Sequence, residues 1–430
     1  MELVNAQTNK DQYKTSRFLF IVEATLEYFI SMLVGGAYLA KVTSAIGLND
    51  TITGILSSFV SLGCGFQIIA IFLANKRPVK RWVTILHSIN QLAFALIYIV
   101  PFINIGKTGK TIIFIIFLLA GHIINNVVNS PKINWFMALV DDKKRGRFTA
   151  NKEMTSLISG IVFSYVAGSV VDYFEAAGNK EGAFIALGIA VLVLMLSHTA
   201  TLVFSKEKPI ETAQKLPIKT QMMELLKDKN LFKVILIPTL WTIVSSVSTP
   251  FYGSYQIKEL GFTMTFVSVL SIITALVRTC FSRPLGKYAD KNSFAKMLNI
   301  CYVVMLVAFI IKTFTVPANG KILYPFYSAL YGIAMAGINS SVINLIYDYV
   351  SHEKRMSALA LSSTMSGFSG FFATLAISPL VTYIQNNNNT LLGIHVYAQQ
   401  VVSVISVILL LLLIVYLNTV VRKLQLKANK

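Results

Sequence analysis

The chain has 430 residues, of which 55% are hydrophobic and 13% are charged, and its mean hydropathy is +0.65. A soluble domain has about 25% charged residues and divides its apolar residues among separate cores. Here the apolar residues form long runs instead, such as 401–417, which contains no charged residue. This composition excludes an ordinary soluble protein and predicts many membrane-spanning helices.

The net charge of +19 comes from clustered basic residues. The clusters lie between or after apolar runs, at 76–81, 143–147, 206–233 and 422–430. Segments 42–51 and 385–395, between other apolar runs, contain neither lysine nor arginine. Because basic loops of membrane proteins stay in the cytoplasm, this alternation predicts that the clusters and both termini are cytoplasmic. The charge therefore indicates membrane topology, and we expect no nucleic-acid partner.

In chain order the apolar runs predict twelve helices, because backbone groups in lipid must be hydrogen-bonded within their own segment. The first six are at 17–42, 51–74, 82–103, 111–140, 148–174 and 183–204. The last six are at 231–257, 264–284, 294–316, 322–349, 357–384 and 396–420. We therefore expect an all-α membrane protein whose twelve transmembrane helices form two pseudo-symmetric bundles of six.

The two predicted bundles cover residues 17–204 and 231–420. Residues 205–230 between them are rich in lysine and contain two prolines, which predicts a cytoplasmic linker. Its second part, 218–226, is expected to form a short amphipathic helix. Residues 1–16 and 421–430 are expected to be cytoplasmic tails.

The two halves contain a repeated segment at the ends of the fourth and tenth predicted spans. Residues 129–145 read NSPKINWFMALVDDKKR, and residues 339–355 read NSSVINLIYDYVSHEKR. Aligned without a gap, they are identical at seven positions, and both run from a span into a basic loop. A second pair of segments, 47–56 and 261–270, aligns at the start of the second and eighth spans. These similarities indicate a duplicated six-helix unit.

Two six-helix halves joined by a basic linker resemble the major facilitator superfamily of secondary transporters. The residues Gly286-Lys287-Tyr288-Ala289-Asp290-Lys291 are similar to the Gly-x-x-x-Asp-Arg/Lys loop motif of that family, and they follow the eighth predicted span. The corresponding loop after the second span, 74–77, keeps basic residues but lacks the Gly and the Asp.

This resemblance implies a central cavity between the halves, lined by spans one, four, seven and ten, and alternating access by rocking of the halves. It also implies a gating role for the motif carboxylate. Asp290 would act with a basic partner, either Arg278 or Arg355.

Glu23 and Glu27 are the first candidates for an ion-coupling site, because charged residues inside a membrane are costly. They are four residues apart and share one face of the first helix. Glu27 lies about 15 Å along the helix from Arg17, near the middle of a hydrocarbon core of about 30 Å. Two such carboxyl groups repel each other when both are ionised, so one could carry a proton, or both could hold a cation. The alternative is a structural ion pair with Lys132.

The fourth predicted span has a stripe of polar residues at helical spacing: His122, Asn125, Asn126, Asn129 and Lys132. Asparagine side chains donate and accept hydrogen bonds, which suits hydroxyl-rich or amide-bearing solutes. The alternative is hydrogen bonding between helices. The substrate-binding residues expected in the fourth and tenth predicted spans are His122, Asn125, Asn129, Lys132 and Asn339.

The seventh predicted span combines an aromatic residue, hydroxyl groups and a proline. Trp241 and Ser245 are expected to contact the substrate. Pro250 allows the helix to bend, so we expect it to act in a gate on the outer side. Asn134 and Asn344, near the cytoplasmic ends of the fourth and tenth spans, are expected to act in gating or to be structural.

The sequence contains no Walker A motif, no Gly-x-Ser-x-Gly and no His-Glu-x-x-His, so neither ATP hydrolysis nor another enzymatic activity is expected. The three cysteines lie in apolar spans without metal-ligand spacing, so we expect no metal and no cofactor.

We expect a secondary active transporter that moves a small organic solute by alternating access and is coupled to protons, with sodium as the other candidate for the coupling ion. One alternative is a proton-driven multidrug efflux antiporter. The acidic pair favours export, whereas the absence of proline beside Gly160 and Gly168 disfavours it. A second alternative is a transporter-like sensor or channel. We expect a monomer in the plasma membrane, whose partners are membrane lipids, the solute and the coupling ion.

Overall fold

The structure is a computed structural model that describes residues 12–74, 78–141, 145–208, 218–350 and 354–424. Lys76, Arg77, Lys143 and Lys144 of the basic loops, and Pro209 and Pro217 of the linker, lie outside these ranges. The described residues form two compact units. Unit 1 contains 12–35 and 69–208, and unit 2 contains 36–68 and 218–424.

Helices make up nearly all of the described chain. Up to the linker, they are α1 (Lys14–Leu33), α2 (Gly36–Ile46), α3 (Asp50–Ser57), α4 (Phe59–Gly65), α5 (Ile68–Ala74), α6 (Lys80–Leu96), a 3₁₀ turn (Val100–Phe102), α7 (Lys107–Met137), α8 (Arg145–Ala176) and α9 (Lys180–Phe204).

After the linker, they are α10 (Ile218–Lys227), α11 (Lys229–Ser246), α12 (Thr249–Ser254), a π-helical segment (Tyr255–Glu259), α13 (Met264–Lys291), α14 (Phe294–Thr313), α15 (Gly320–Tyr347), α16 (Arg355–Asn386), α17 (Ala398–Tyr416) and a second π-helical segment (Leu417–Val421). Strands β1 (Thr390–Leu391) and β2 (Ile394–His395) form a small antiparallel hairpin between α16 and α17.

Side-chain caps set several of the helix starts. Asn49 accepts a hydrogen bond from the backbone N–H of Ile52 at 2.8 Å and begins α3. Asp228 accepts from the N–H groups of Asn230 and Leu231 and begins α11. Such caps satisfy backbone donors that have no partner inside the helix, so the polar residues between apolar runs define the helix boundaries.

The first predicted span is broken into two helices. Gly36 has a φ of +52°, and α1 and α2 are bent by 44° at the break. Glycine tolerates this left-handed conformation because it has no β-carbon, so the consecutive glycines 35 and 36 allow the bend.

Ten helical segments in the described ranges are long and apolar enough to cross a membrane, or eleven if the bent pair α1–α2 is one span. The third predicted span, 82–103, corresponds to α6, which has only 17 residues. A straight span needs about 17–25 residues, so α6 is at the short limit. The prediction was twelve. The short helix predicted at 218–226 is confirmed as α10.

The repeated segments end their helices at equivalent residues. Helix α7 ends at Met137 and α15 ends at Tyr347, which occupy the same column of the gap-free alignment. In both helices, the first residue after the end donates its N–H to the backbone carbonyl of the repeated asparagine. Ala138 donates to Asn134, and Asp348 donates to Asn344. The repeat is therefore structural as well as sequential.

The segment Gly286–Lys291 is helical, so its placement in a loop after a span ending at 284 was wrong. Helix α13 continues through Pro284 to Lys291 and ends with Asn292. Proline inside a membrane helix removes one hydrogen bond but does not have to end the helix. Asp290 is thus exposed on the last turn of α13.

One end of unit 1 has an apolar core that supports the polar residues described below. Its central members are Phe20, Val83, Val128, Phe136 and Leu202, which come from α1, α6, α7 and α9. The rings of Phe20 and Phe136 stack with centroids 4.4 Å apart. This packing holds the four helices together close to Glu23, His87, Lys132 and His198.

Candidate functional site

Four helices of unit 1 bring five titratable side chains together in its interior. Glu23 and Glu27 come from α1, His87 from α6, Lys132 from α7 and His198 from α9. We call this set the charge cluster. Glu23, His87, Lys132 and His198 are each no more than 1% exposed, so the cluster lies in a medium of low dielectric.

Lys132 is at the centre of the charge cluster. Its Nζ lies 2.7 Å from Glu23 Oε1, 2.5 Å from Glu27 Oε2 and 2.9 Å from His87 Nε2. An ammonium group has three donors, and each of these partners can accept one. The ion pair with Lys132, which the sequence offered as the alternative to a coupling role, is thus present. All three donors of the Lys132 ammonium group have acceptors within unit 1.

The two histidines extend the charge cluster and contact each other. His198 Nε2 lies 2.8 Å from Glu23 Oε1, and the two imidazole rings are 4.5 Å apart. His87 Nδ1 lies 2.8 Å from Asn90 Oδ1, and Asn90 Nδ2 donates to Asn125 Oδ1 at 3.3 Å. If Asn90 accepts from Nδ1–H, then Nε2 of His87 is free to accept from Lys132, which assigns the tautomer. The network thus extends from Glu23 to the polar face of α7.

Glu27 differs from the other four members because its side chain is 24% exposed. It is therefore the member of the charge cluster that the surrounding protein encloses least. Two carboxylates and one ammonium leave one negative charge in excess, and a proton on a carboxyl or imidazole group would neutralise it.

Glu23, Glu27, His87 and His198 also offer oxygen and nitrogen atoms that lie within 4.8 Å of one another. That set could suit a divalent transition metal by its donor types. However, the Lys132 ammonium contacts three of the four residues. A lysine ammonium and a metal cation would compete for the same donors, so we assign no metal to the charge cluster.

Other residues that were predicted to bind substrate lie along α7. His122 is buried with its ring 5.0 Å from Phe94, in an edge-on contact. Asn125 is partly buried and bonded to Asn90, and Asn129 is partly buried. The predicted stripe therefore lies along one helix and ends at Lys132. Lys132 is part of the charge cluster, and Asn125 is connected to the cluster by hydrogen bonds through Asn90 and His87.

The predicted residues of unit 2 make separate contacts. Trp241 is partly buried and stacks on Tyr302 with centroids 5.5 Å apart. Ser245 Oγ donates to the backbone carbonyl of Thr242, and Asn339 is exposed on α15. Pro250 lies in the first turn of α12, directly after the break that follows α11. These contacts do not test the substrate-binding and gating roles of the four residues, so those roles stay predictions.

The remaining predicted gating residues lie on α7, α13, α15 and α16. Arg278 lies on α13 and is partly buried, whereas Asp290 is exposed. The guanidinium of Arg355 lies over the ring of Tyr347 at 4.7 Å, which is a cation–π contact. Asn134 is exposed, and Asn344 donates from its side chain to the Ser340 carbonyl. Their gating roles also stay predictions.

A buried lysine in unit 2 was missed. Lys312 of α14 is 1% exposed, and within the described residues its Nζ has no hydrogen-bond partner. Aromatic rings surround it: Nζ lies 3.2 Å from the ring centroid of Tyr324, 4.0 Å from Tyr252, 4.9 Å from Tyr327 and 5.8 Å from Tyr255. Near the end of a predicted span, a lysine normally reaches the membrane surface, so the sequence contained no signal for this enclosure.

His87 and His198 were missed although a signal existed. Both lie in predicted spans, where any ionisable residue indicates function. Unlike His122, they lie outside the polar stripe of the fourth predicted span. His87 and Asn90 are three residues apart and so share a helix face, which a search for polar pairs would have found.

Comparison with known proteins gives matches along most of the chain. A family model described as Major Facilitator Superfamily matches residues 24–374 and also residues 245–425. An uncharacterized MFS-type transporter of Methanocaldococcus jannaschii is 28% identical over 194 residues. That match covers 43% of this chain and 47% of the relative, so the chain spans about half the length of the curated relative it matches.

Solved structures are similar over nearly the full chain. A mutant of the nucleoside transporter NupG is 16% identical with a TM-score of 0.71, covering 94% of this chain and 98% of that one. A D-xylose-proton symporter is 14% identical with a TM-score of 0.68, covering 93% and 97%. A bacterial homolog of the human lysosomal transporter Spinster is 13% identical with a TM-score of 0.68, covering 95% and 96%. At these identities the likeness shows a shared fold.

Proposed function

Because this chain belongs to the Major Facilitator Superfamily, we propose that it is a secondary active transporter that moves a small organic solute by alternating access, driven by protons. The observation that carries the coupling part is the charge cluster of unit 1, in which one carboxyl group, Glu27, is 24% exposed while its partners are buried. A buried ionic group with one accessible carboxylate is suited to binding and releasing a proton.

The coupling step would begin at Glu27. In the present arrangement Glu27 and Glu23 share the ammonium of Lys132. A proton on Glu27 would remove one of these two charges, so Lys132 would be held mainly by Glu23 and His87. Such a change alters the attraction between α1 and α7, and a bistable packing of helices can convert it into rocking.

The solute would lie near the polar face of α7. Asn125 belongs to the hydrogen-bonded network of the charge cluster, and Asn129 is one turn further along the same helix. Asparagine amides suit a solute with hydroxyl or amide groups. The similar structures include a nucleoside transporter and a D-xylose–proton symporter, whose solutes by name are polar. We therefore propose a polar organic solute.

We further propose a monomer in the plasma membrane with both termini in the cytoplasm. The basic clusters support this orientation, because positively charged loops stay on the cytoplasmic side. In this orientation the charge cluster would lie toward the cytoplasmic side of unit 1, since α1 begins, and α7 and α9 end, near it.

The test uses purified protein in proteoliposomes with an inward proton gradient. Internal pH is followed with a dye while sugars, polyols, amino acids, nucleosides and cationic drugs are added in turn. We expect one solute class to produce a proton flux, and Glu27→Gln to abolish it. Glu181→Gln is the matched control, because Glu181 is an exposed carboxylate in the first turn of α9.

Loss of flux in both variants would point to a general defect and not to Glu27. Flux in the Glu27→Gln variant with the full pH dependence of the parent would reject the coupling role. If no solute produces a proton flux, the same panel with a sodium gradient decides whether the coupling ion is sodium.

A further inference from the structure

Unit 2 contains a buried lysine that the proposed coupling site does not use. Among the described residues, Nζ of Lys312 has no hydrogen-bond partner and no carboxylate within ion-pair distance. It lies instead over the rings of four tyrosines, and all five side chains are no more than 8% exposed. We call the four tyrosines the tyrosine cage: Tyr252 of α12, Tyr255 of the following π-helical segment, and Tyr324 and Tyr327 of α15.

Two rings of the tyrosine cage are held by hydrogen bonds of their hydroxyl groups. The hydroxyl of Tyr252 bonds to the hydroxyl of Ser403 on α17 at 3.0 Å, with either one as the donor. The hydroxyl of Tyr255 donates to the Thr315 carbonyl at 2.6 Å. These bonds are made away from the lysine, so they fix the rings without using its ammonium group.

The other two rings are held by packing against aromatic neighbours. Tyr327 meets the ring of Tyr252 edge-on, with centroids 5.9 Å apart, and meets Tyr324 in the same way at 5.7 Å. Tyr324 also contacts the ring of Phe262, with centroids 5.3 Å apart. Such edge-to-face pairs are favourable in themselves. The tyrosine cage is therefore preorganised, which lowers the cost of binding a ligand inside it.

The interior of the tyrosine cage suits a positive charge. The face of an aromatic ring is the negative part of its quadrupole, and it attracts a cation within about 6 Å of the centroid. Lys312 is also in the last turn of α14, where the helix dipole favours a cation. The ring faces and the helix end thus offset part of the cost of burying an ammonium group without a hydrogen-bond acceptor.

The distances inside the tyrosine cage select a particular kind of cation. Nζ of Lys312 lies 3.2 Å from the centroid of the Tyr324 ring. A quaternary ammonium group carries carbon atoms on every side, and carbon atoms pack at about 3.5–4.0 Å from one another, so its nitrogen would stay further away. The ligand that fits is an unbranched primary alkylammonium group, which has the shape of the lysine side chain itself.

We propose that the tyrosine cage is a binding site for a primary alkylammonium group, and that Lys312 is its built-in ligand. The covalent tether gives the lysine ammonium a high effective concentration at the site, so free amines do not displace it from the parent protein. The site lies in unit 2, whereas the charge cluster lies in unit 1. The proposal therefore does not depend on proton coupling or on the transported solute.

The test replaces the tethered ligand by a free one. Lys312→Ala removes three carbon atoms and the ammonium nitrogen, and n-propylammonium has the same atoms. A buried cavity can bind a small ligand that matches it. Thermal unfolding of the purified full chain in detergent is followed by intrinsic fluorescence at constant ionic strength. Propylammonium chloride should raise the Tm of Lys312→Ala until the effect saturates, because it binds the folded protein.

The controls separate recognition of a cation from filling of a hole. 1-Propanol has the same length as propylammonium but no charge, and it should give no comparable rise in Tm. The parent and Lys312→Met should not respond to propylammonium, because a long side chain already fills the site in both proteins.

A second substitution in the Lys312→Ala protein tests the rings. Tyr324→Leu should raise the propylammonium concentration that gives half of the effect about tenfold, which corresponds to about 1.4 kcal/mol. Tyr331→Leu is the matched control, because Tyr331 is on the same helix and contacts Tyr327 but is not one of the four tyrosines over Nζ. It should change that concentration much less.

The proposal is overturned if propylammonium does not raise the Tm of Lys312→Ala, if 1-propanol raises it equally, or if Lys312→Met responds as strongly. The same holds if Tyr324→Leu has no larger effect than Tyr331→Leu. If Lys312→Ala is not recovered as folded protein, its yield is compared after purification with propylammonium or with 1-propanol. Recovery with propylammonium alone supports the site, whereas recovery with both or with neither overturns it.

Discussion

Replacement of Lys132 by methionine tests the charge cluster as an ionic assembly. Methionine fills similar space without a charge, so Glu23 and Glu27 would lose their common ammonium. Loss of one partner of a buried ion pair costs about 3–5 kcal/mol. Glu27 is 24% exposed, so the protein encloses its charge less completely than that of Glu23. We therefore expect a loss near the lower limit, about 3 kcal/mol in the free energy of unfolding.

The companion variant removes all three charges. Lys132→Met with Glu23→Gln and Glu27→Gln leaves no uncompensated charge, so it should recover most of the lost stability. Lys227→Met is the control for the lysine change, because Lys227 is exposed, and it should alter stability by no more than about 0.5 kcal/mol. Unfolding by SDS titration in mixed micelles measures all three. A Lys132→Met effect as small as that of Lys227→Met, or a triple variant less stable than the single one, would refute the ionic assembly.

Three other predictions concern separate parts of the structure. Tyr324→Leu should destabilise the parent protein by about 1–2 kcal/mol more than it destabilises a Lys312→Met protein, because only the parent has the lysine that contacts the Tyr324 ring. A double-mutant cycle of unfolding free energies checks this. Gly367→Ala should cost about 1–3 kcal/mol by overpacking, whereas Gly286→Ala, with open space around it, should be neutral or slightly stabilising in the same unfolding assay. Asn90→Ala removes the acceptor that orients His87, so the pH profile of the proton flux should change shape while protein yield is retained.

The helices were predictable because hydropathy is a property of neighbouring residues in the chain. Apolar runs long enough to span a membrane gave the segments found in the structure, and the polar residues between them became caps such as Asn49 and Asp228. The break at Gly36 was not predicted, because the apolar run continues through it without a change in composition. Likewise Asp290 is helical because α13 continues through Pro284 and ends only at its C-cap residue, Asn292.

The candidate site was predictable only in part. The spacing of Glu23 and Glu27 placed them on one face of one helix, which requires knowledge of that helix alone. Their partners depend on which helices are neighbours. Lys132 was recognised as a possible partner because charges of opposite sign attract, whereas the two histidines required the actual packing of α6 and α9 on α1.

By itself the sequence determined that this protein is a multi-pass membrane protein of duplicated helical halves, because burial in lipid imposes apolar length and closed backbone hydrogen bonding on each segment separately. Tertiary structure decided what each buried polar group contacts. Lys132 and Lys312 are both lysines inside apolar helices, yet one is bonded to carboxylates and the other is enclosed by tyrosine rings. The difference arises because a side chain in a low-dielectric interior must take its partner from whatever the adjacent helices present, and no local pattern in the chain records that choice.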